Sequence, residues 1–327
     1  TKVTDYINGF GVSTAKSLEL EEGWLHFSEL IESCKDTRPP RVLIEPSDPA
    51  MIQFTGGTTG FPKGALLTQG NLVAATMQAG TWGSPGSYSA HVIPQVERNV
   101  LSVLPFFHVY GNIVAMNWAF FSCSTQILVP RFEIDEILDT IVKAGRIMYF
   151  PAVPTMITAI VNHPKAASLD LGKYIGLLNS GGAPMPLELI ERVTDMGITF
   201  NEGYGLSETS SITIANPITS NKVGSIGVPM PDNDFRIVDV ENGVDDVNPG
   251  QSGELILKGP TVMKGYWNNP AETANQLKDG WLYTGDIAQA DEDGFIFIVD
   301  RKKDMIIAGG FNIYPREIEE VLYEHPK

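Results

Sequence analysis

The apolar positions of the chain follow two patterns that alternate between about residues 50 and 200. Buried strands are predicted where apolar residues form short unbroken runs, at 50–54, 100–104, 126–129 and 147–150. Helices are predicted where apolar residues recur every three or four positions, at Ile134, Ile137, Leu138 and Ile141 and again at Leu187, Ile190 and Val193. A further short helix is predicted within 19–41. This alternation predicts an α/β fold in which helices cover buried sheets.

After about residue 216 the pattern changes to short strands separated by many turns. Strands are predicted at 235–240, 254–258 and 295–299. The sequence therefore predicts layered α/β subdomains over 1–215, a small β-barrel-like subdomain over 216–300, and a hinge with the start of a C-terminal domain over 301–327. Because the chain begins with Thr1 and stops inside a helix predicted over 315–325, we expect it to be an excerpt, truncated at both ends.

Composition narrows the functional classes. The chain has 327 residues, 43% of them hydrophobic, which is enough to bury a sizeable core. Its net charge of −16 argues against a general nucleic-acid-binding protein, because phosphate backbones would be repelled. Its two cysteines, Cys34 and Cys123, exclude a disulfide framework and a cysteine-built zinc site, and favour a cytoplasmic location. No apolar run approaches the roughly 20 residues of a membrane-spanning helix, which leaves peripheral membrane contact open.

A glycine-rich loop follows the first predicted strand and reads Thr55-Gly56-Gly57-Thr58-Thr59-Gly60-Phe61-Pro62-Lys63-Gly64. Its glycines let the backbone approach an anion closely, its hydroxyls can donate to phosphate oxygens, and Lys63 adds a positive charge. Because no Gly-Lys-Ser/Thr sequence closes the loop, it is not the P-loop of kinases and GTPases. Taken alone, the loop is explained equally well as a surface hairpin.

Four further segments combine small residues with polar side chains that suit a nucleotide site. They are 102–111 with His108, 179–184 with Gly181, Gly182 and Ala183, 201–209 with Tyr204, Ser207 and Glu208, and 280–286 with Asp286. The third of them places an aromatic ring, a hydroxyl and a carboxylate within five residues. Each segment also has a plain structural explanation: a packed histidine, an ordinary turn between a strand and a helix, or solvated loop acids.

Taken together and in this order, the segments resemble the motifs of the adenylate-forming superfamily, which includes acyl-CoA synthetases, luciferases and the adenylation domains of peptide synthetases. The resemblance extends from about residue 48 to residue 327, and segments 105–111, 259–267 and 300–304 look closest to bacterial long-chain fatty acyl-CoA ligases. It implies an ATP site formed by Thr55, Gly56, Gly57, Thr58, Thr59, Gly60, Lys63, Gly181, Gly182, Ala183, Glu202, Gly203, Tyr204, Gly205, Ser207, Asp286 and Arg301.

The resemblance also implies individual tasks. Catalysis would depend on Lys63, on Glu208, and on His108, which would lie beside the carboxylate of the acid. The Mg²⁺ ion would be bound by Thr55 and Glu208, in agreement with the preference of this hard cation for oxygen ligands. Further implied contacts are Tyr204 with adenine, Ser207 with phosphate, Asp286 with ribose and Arg301 with the nucleotide, and Lys303 would be the pivot of the hinge.

The implied reaction is attack of a carboxylate on the α-phosphorus of ATP, which gives acyl-AMP and pyrophosphate, followed by thioester formation with coenzyme A. A lysine of the C-terminal domain that completes this site in the family would lie beyond Lys327. The predicted partners are a medium- or long-chain fatty acid, ATP and coenzyme A. An aryl acid or an amino acid is the alternative substrate, and a non-catalytic module that binds ATP or acyl-AMP is the alternative from another class. The sequence gives no oligomeric state.

Overall fold

The computed structural model describes residues 27–34, 38, 41–55, 62–82, 97–308 and 311–315. The chain divides into two compact units, Thr1–Leu43 and Ile44–Lys327. In the first unit, an exposed helix α1 (Phe27–Ser33) lies within the stretch 19–41 for which a helix is predicted. Most of the helix predicted over 315–325 lies outside the described residues. Among the described helices, none combines the length and the apolar character needed to cross a bilayer.

The described elements of the second unit are numbered in chain order. The strands are β1 (Pro49–Thr55), β2 (Lys63–Thr68), β3 (Asn99–Ser102), β4 (Thr125–Leu128), β5 (Ile147–Ala152), β6 (Ile175–Ser180), β7 (Thr199–Leu206), β8 (Ser211–Ala215), β9 (Val228–Pro229), β10 (Asp234–Val238), β11 (Gly253–Lys258), β12 (Gly265–Tyr266), β13 (Leu277–Lys278), β14 (Trp281–Ala290), β15 (Ile296–Arg301), β16 (Ile306–Ala308) and β17 (Phe311–Ile313). The helices are α2 (Gln69–Trp82), α3 (Trp118–Phe121), α4 (Ile134–Ala144), α5 (Pro154–Asn162), α6 (Pro164–Ala167), α7 (Leu171–Tyr174), α8 (Leu187–Asp195) and α9 (Pro270–Gln276). A π-helix (Gly111–Asn117) precedes α3, and a 3₁₀ turn (Ser207–Thr209) follows β7.

The central layer is a sheet whose described strands are ordered β4-β3-β5-β6-β7-β8-β9. The strands from β4 to β7 are parallel to one another, whereas β7, β8 and β9 are antiparallel. Every residue of β5 and β6 is buried, as expected for the apolar strands of a parallel sheet covered on both faces. The α/β fold predicted from the sequence is therefore confirmed.

Neighbouring residues of the central strands enter two separate apolar clusters, because side chains alternate across a sheet. Tyr149 and Leu177 pack with residues of α2, the π-helix and α3, whereas Phe150 and Leu178 pack with α4, α5 and α8. The helix spacing is confirmed for α4, where Ile137, Leu138 and Ile141 are buried. In α8 the buried residues are Leu189, Ile190 and Val193, while Leu187 is 49% exposed. Leu187 therefore does not belong to the buried face to which its spacing assigned it.

Two smaller antiparallel sheets flank the site described below. One has the order β1-β2-β12, and the other has the order β10-β11-β14-β13 with β15 added on β14. A backbone bridge between Gly227 and Ile296 joins the end of the central layer to the second of these sheets. Strand β10 ends two residues earlier than predicted, because the Asp239 carboxylate accepts hydrogen bonds from the amides of Glu241 and Asn242 and so forms a turn.

Candidate active site

Two cavities of the second unit meet at strand β7, and both are lined by its residues 203–206. The first has a volume of about 740 Å³ and also reaches β2, β12 and the segment before the π-helix. The second has a volume of about 590 Å³ and reaches the turn after β6 and strands β14 and β15. Because β7 borders both, a ligand with two chemically different ends can lie across it.

Every described residue that was predicted for the site lines one of the two cavities. The first cavity is lined by Thr55, Lys63, His108, Gly181, Ser207 and Glu208, the second by Ala183, Glu202 and Asp286, and both by Gly182, Gly203, Tyr204, Gly205 and Arg301. The predicted residues Gly56, Gly57, Thr58, Thr59 and Gly60 lie outside the described residues. The structure thus brings together side chains that are up to 246 positions apart, from Thr55 to Arg301, while their tasks remain predictions.

Lys63 lies at a different place from the one predicted, because it is the first residue of β2 and not part of a loop. It pairs across the hairpin with Thr55, the last residue of β1. Both residues line the first cavity. The hairpin and the phosphate-loop interpretations of this segment are therefore compatible, since the hairpin carries Thr55 and Lys63 to the cavity wall.

The side chains around Lys63 form a compact charged group. The Lys63 ammonium is paired with the Glu272 carboxylate and lies 5.4 Å from the centre of the Tyr266 ring. The Tyr266 hydroxyl donates a hydrogen bond of 2.7 Å to Oε1 of Glu208. Burial and the nearby carboxylates of Glu208 and Glu272 raise the pKa of Tyr266. The hydroxyl therefore stays protonated and remains a donor to Glu208 over the physiological pH range.

A second polar group surrounds Asp286, which is almost completely buried. Its Oδ2 accepts a hydrogen bond from the Tyr204 hydroxyl, and its Oδ1 lies 2.8 Å from Nε of Arg301. The alternative of an exposed turn aspartate is wrong, because Asp286 lies within β14 and pairs with Arg301 across the β14–β15 ladder. Burial raises the pKa of Asp286 above 3.8, and Arg301 opposes that shift in part.

Replacing Asp286 by asparagine is expected to weaken ATP and AMP binding about tenfold or more, the effect of losing hydrogen bonds from a ligand to a charged acceptor.

The thermal stability of the Asp286→Asn variant is expected to be higher than that of the wild type at pH 7. Because the folded-state pKa is raised, protonation of Asp286 stabilises the fold at low pH, and this contribution is lost as the pH rises through that pKa. The uncharged Asp286→Asn variant should therefore have a higher Tm than the wild type at pH 7, with a difference that shrinks towards pH 4. Nucleotide affinity within twofold of the wild type would contradict the ribose assignment.

His108 lines the first cavity and lies two positions before the buried Tyr110. The amide of Tyr110 donates to Nδ1 of His108 at 3.2 Å, so the neutral ring carries its proton on Nε2. Partial burial lowers the pKa of His108 below 6.5, which favours this neutral form. At neutral pH the ring therefore offers one N–H donor to a group in the cavity.

Tyr110 is fixed behind His108 by a buried chain of amides. Its hydroxyl donates to Oδ1 of Asn179 at 2.7 Å, and Nδ2 of Asn179 donates to Oδ1 of Asn201 at 2.8 Å. Nδ2 of Asn201 then donates to the carbonyl of Asn216. These bonds cross β6, β7 and the end of β8, and therefore tie the cavity wall to three neighbouring strands.

The first cavity is also lined by an ion pair that the sequence did not indicate. Glu254 on β11 is buried, and its carboxylate accepts from the amide of Gly285 at 3.2 Å and from Nζ of Lys302 at 2.7 Å. The amide of Lys302 also donates to the carbonyl of Gly285 at 2.8 Å. Gly285 of β14 and Lys302, the residue after β15, are thus held together.

The cavity walls fit the predicted Mg²⁺ ion only in combination with phosphate. Among the described residues, no group of three or more histidine, cysteine, aspartate or glutamate side chains could hold a metal. Glu208 supplies one carboxylate to the first cavity, and Thr55 lines the same space. One or two protein oxygens, completed by phosphate and water, are what Mg²⁺ commonly uses at nucleotide sites.

The sequence motifs assign no task to four further residues of the site region, Tyr266, Glu272, Glu254 and Lys302. A weak signal was present for Glu272, because Asn269 and Glu272 have the spacing of a helix capping box at the start of α9. That spacing predicts the start of α9. It does not predict the pairing of Glu272 with Lys63, which is 209 residues away.

The chain is similar in sequence to a known protein family and to individual known proteins. The profile of the AMP-binding enzyme family matches residues 11–267. A long-chain-fatty-acid–CoA ligase of Bacillus subtilis is 47% identical over 86% of the chain, and a feruloyl-CoA synthase of Amycolatopsis is 38% identical over 89%. The chain covers 49% and 57% of these two proteins, so it spans about half the length of the curated relatives it matches.

Solved structures agree as well. The crystal structure of ATP-bound MatB from Rhodopseudomonas palustris superposes with a TM-score of 0.77 at 31% identity, over 86% of this chain and 54% of that one. The family profile covers far more than half of the chain and includes the segments that line both cavities as far as Trp267. The chain therefore belongs to the AMP-binding enzyme family.

Proposed function

We propose that the protein activates a carboxylic acid with ATP to an acyl-adenylate and pyrophosphate, and then transfers the acyl group to the thiol of coenzyme A with release of AMP. The observation that best supports this is the meeting of two differently equipped cavities at β7. Lys63 and Glu208 in one suit a triphosphate, and Asp286 and Arg301 beside the small residues Gly182 and Ala183 in the other suit a nucleoside. A nucleotide that lies across β7 uses both.

The chemical difficulty of the first step is that two anions must meet. Two unit charges at about 4 Å repel by about 1 kcal/mol in water, and by about 4 kcal/mol at an effective dielectric constant of 20. Lys63 offsets part of this repulsion, and Arg301 brings a second positive charge to the wall shared by both cavities. A bound Mg²⁺ ion, held by Glu208 and Thr55, would supply further neutralisation of phosphate charge. Positioning and charge neutralisation suffice for this displacement, so no covalent enzyme intermediate is needed.

His108 would orient the acid. In its neutral form, the Nε2–H group donates a hydrogen bond to a carboxylate oxygen and leaves the other oxygen available for attack. Because its pKa is lowered, His108 keeps this form to a lower pH than an exposed histidine does. Tyr110 and its amide chain hold the backbone of this segment in place.

The acid is proposed to be a medium- or long-chain fatty acid, in line with the 47% identity to a long-chain-fatty-acid–CoA ligase. A small apolar space of about 30 Å³ adjoins the first cavity at Ile212 and is lined by Val114, Trp118 and Tyr149. This is room for about two water-sized groups, so a long chain requires these side chains to move. The aromatic lining and the feruloyl-CoA synthase relative favour an aryl acid as the second candidate.

The test is acid-dependent release of pyrophosphate by the full-length protein with ATP and Mg²⁺. The acids are acetate, octanoate, palmitate, a cinnamate and a mixture of amino acids, each with and without coenzyme A. We expect release with octanoate or palmitate, and acyl-CoA formation once coenzyme A is added. Release with the cinnamate alone would transfer the proposal to aryl acids, whereas failure with every acid would contradict the activity. Reactions without acid give the background rate.

A further inference from the structure

Glu272 places a carboxylate beside Lys63, the lysine proposed to bind the triphosphate. Its carboxylate is paired with the Lys63 ammonium, and Lys63 lines the first cavity. The Glu272 and Lys63 side chains are 26% and 31% exposed, so the pair is accessible from solvent. The Lys63 ammonium binds a carboxylate here in the same way as it would bind a phosphate oxygen. Lys63 thus has an anionic partner before any nucleotide arrives.

The start of α9 leaves the Glu272 side chain available for this pairing. In a capping box the glutamate at the third helical position bonds back to the amide of the N-cap residue. Here the Asn269 amide donates instead to the carbonyl of Tyr266 at 3.2 Å, while the Asn269 side chain accepts from the Glu272 amide at 3.2 Å. The amides of Asn269 and Glu272 at the start of α9 therefore have hydrogen-bond acceptors without the Glu272 carboxylate.

The position of Lys63 relative to Glu272 is fixed by strand pairing. Strand β12 pairs with β2, so that Tyr266 lies opposite Ala65, two residues from Lys63. The amide of Trp267 donates to the carbonyl of Gly64 at 2.7 Å. Because α9 follows β12 after only three residues, the pairing that positions Tyr266 against Glu208 also brings Glu272 to Lys63. The same short segment thus contacts both residues proposed to act on the triphosphate.

We infer that Glu272 is an internal anion that holds Lys63 in the nucleotide-free enzyme and competes with the β- and γ-phosphates of ATP for it. This inference rests on the proposed function, in which Lys63 binds the triphosphate. Glu272 is a positioning residue in this scheme, because it keeps the flexible lysine side chain at the cavity and gives way when phosphate enters. Its negative charge also repels the pyrophosphate product and so favours its release.

The test compares binding of MgATP, magnesium pyrophosphate and AMP to the full-length protein by calorimetry, without any acid substrate. Removal of the competing charge in Glu272→Gln is expected to lower the Kd of MgATP and of pyrophosphate about two- to fivefold, the range for a partly exposed ion pair. AMP has no β- or γ-phosphate, so its Kd is expected to stay unchanged. Glu272→Asp shortens the side chain by one methylene. Its Kd values for MgATP and pyrophosphate are expected to lie between those of the wild type and those of Glu272→Gln.

Two controls separate competition from other effects. Glu292→Gln removes the same charge at an exposed residue outside both cavities and is expected to leave all three Kd values unchanged. In a Lys63→Met background, the effect of Glu272→Gln is expected to disappear, since the coupling acts through Lys63. A merely structural ion pair would give weaker or unchanged binding when it is broken, not tighter binding.

The possible outcomes are distinguishable. If the wild type does not bind MgATP, the proposed function fails, and the inference fails with it. If the wild type binds MgATP but Glu272→Gln does not tighten binding, only the inference about Glu272 is overturned. It is also overturned if the tightening persists in the Lys63→Met background, because a general charge effect would then account for it.

Discussion

The Glu208→Gln variant is expected to form acyl-adenylate about 10²- to 10³-fold more slowly than the wild type, the range for losing one preorganised electrostatic contact to the reacting group. Glutamine keeps the shape of glutamate and can still accept the Tyr266 hydrogen bond. The backbone bond from the Met263 amide to the Glu208 carbonyl, 2.8 Å, is also unaffected. The fold should therefore remain intact, and the lost charge should raise the Mg²⁺ concentration required for half-maximal rate.

The measurement is ATP–pyrophosphate exchange with the preferred acid, across a Mg²⁺ titration, in the full-length protein. Glu136→Gln is a matched control, because Glu136 is exposed in the first turn of α4 and lines neither cavity. Its rate should equal that of the wild type. A Glu208→Gln rate within threefold of the wild type would show that this carboxylate is not needed for the reaction.

Gly205→Ala is expected to lower the free energy of unfolding by about 3 kcal/mol or more, the effect of a severe clash with neighbouring backbone atoms. A Cβ atom at Gly205 would lie 1.6 Å from the carbonyl oxygen of Ser211 and 2.4 Å from its carbonyl carbon. Strands β7 and β8 cannot move apart to relieve this clash without breaking their pairing. That pairing shifts its register between Tyr204 and Gly205 and resumes with Gly205 opposite Ile212. The sequence assigned Gly205 to nucleotide contact, and the structure adds a packing reason for glycine at this position.

Thermal unfolding of the full-length protein measures this effect, with a Tm at least about 5 °C below that of the wild type as the expected result. Gly250→Ala separates the clash from the backbone penalty. Gly250 has a φ of +80° and no atoms near its would-be Cβ, so alanine there should lower stability by about 1–2 kcal/mol only. Equal Tm losses for the two variants would rule out the Ser211 contact as the cause.

Local patterns predicted much of the fold. The apolar runs that became β3 and β5 and the spacing that became α4 were sufficient, because burial of a strand or of one helix face depends on residues close in the sequence. Strand β2 was missed, since its start at Lys63 was assigned to the preceding loop. The motifs indicated where the cavities would form, and each described residue that they named lines a cavity wall.

The partners of these residues could not be predicted from local patterns. The pairing of Lys63 with Glu272 and of Glu208 with Tyr266 depends on β12 adding to β2, which brings together segments about 200 residues apart. The burial of Asp286 depends in the same way on β15 covering β14. A sequence motif specifies which groups are present, whereas their charge state and hydrogen-bond partners depend on tertiary packing.

The ion pair between Glu254 and Lys302 has a mechanical consequence. Lys302 is bonded by its backbone to Gly285 of β14 and by its side chain to Glu254 of β11, so the chain is anchored to these two strands as far as this residue. Any rigid rotation of the segments that follow must have its axis at Lys303 or later, whether or not Lys303 is the pivot. Arg301 lies on the fixed side of such an axis and would act as part of the frame. A rotation about such an axis would displace distant atoms of the following segments by a large amount. The Arg301 atoms that contact Asp286 would barely shift.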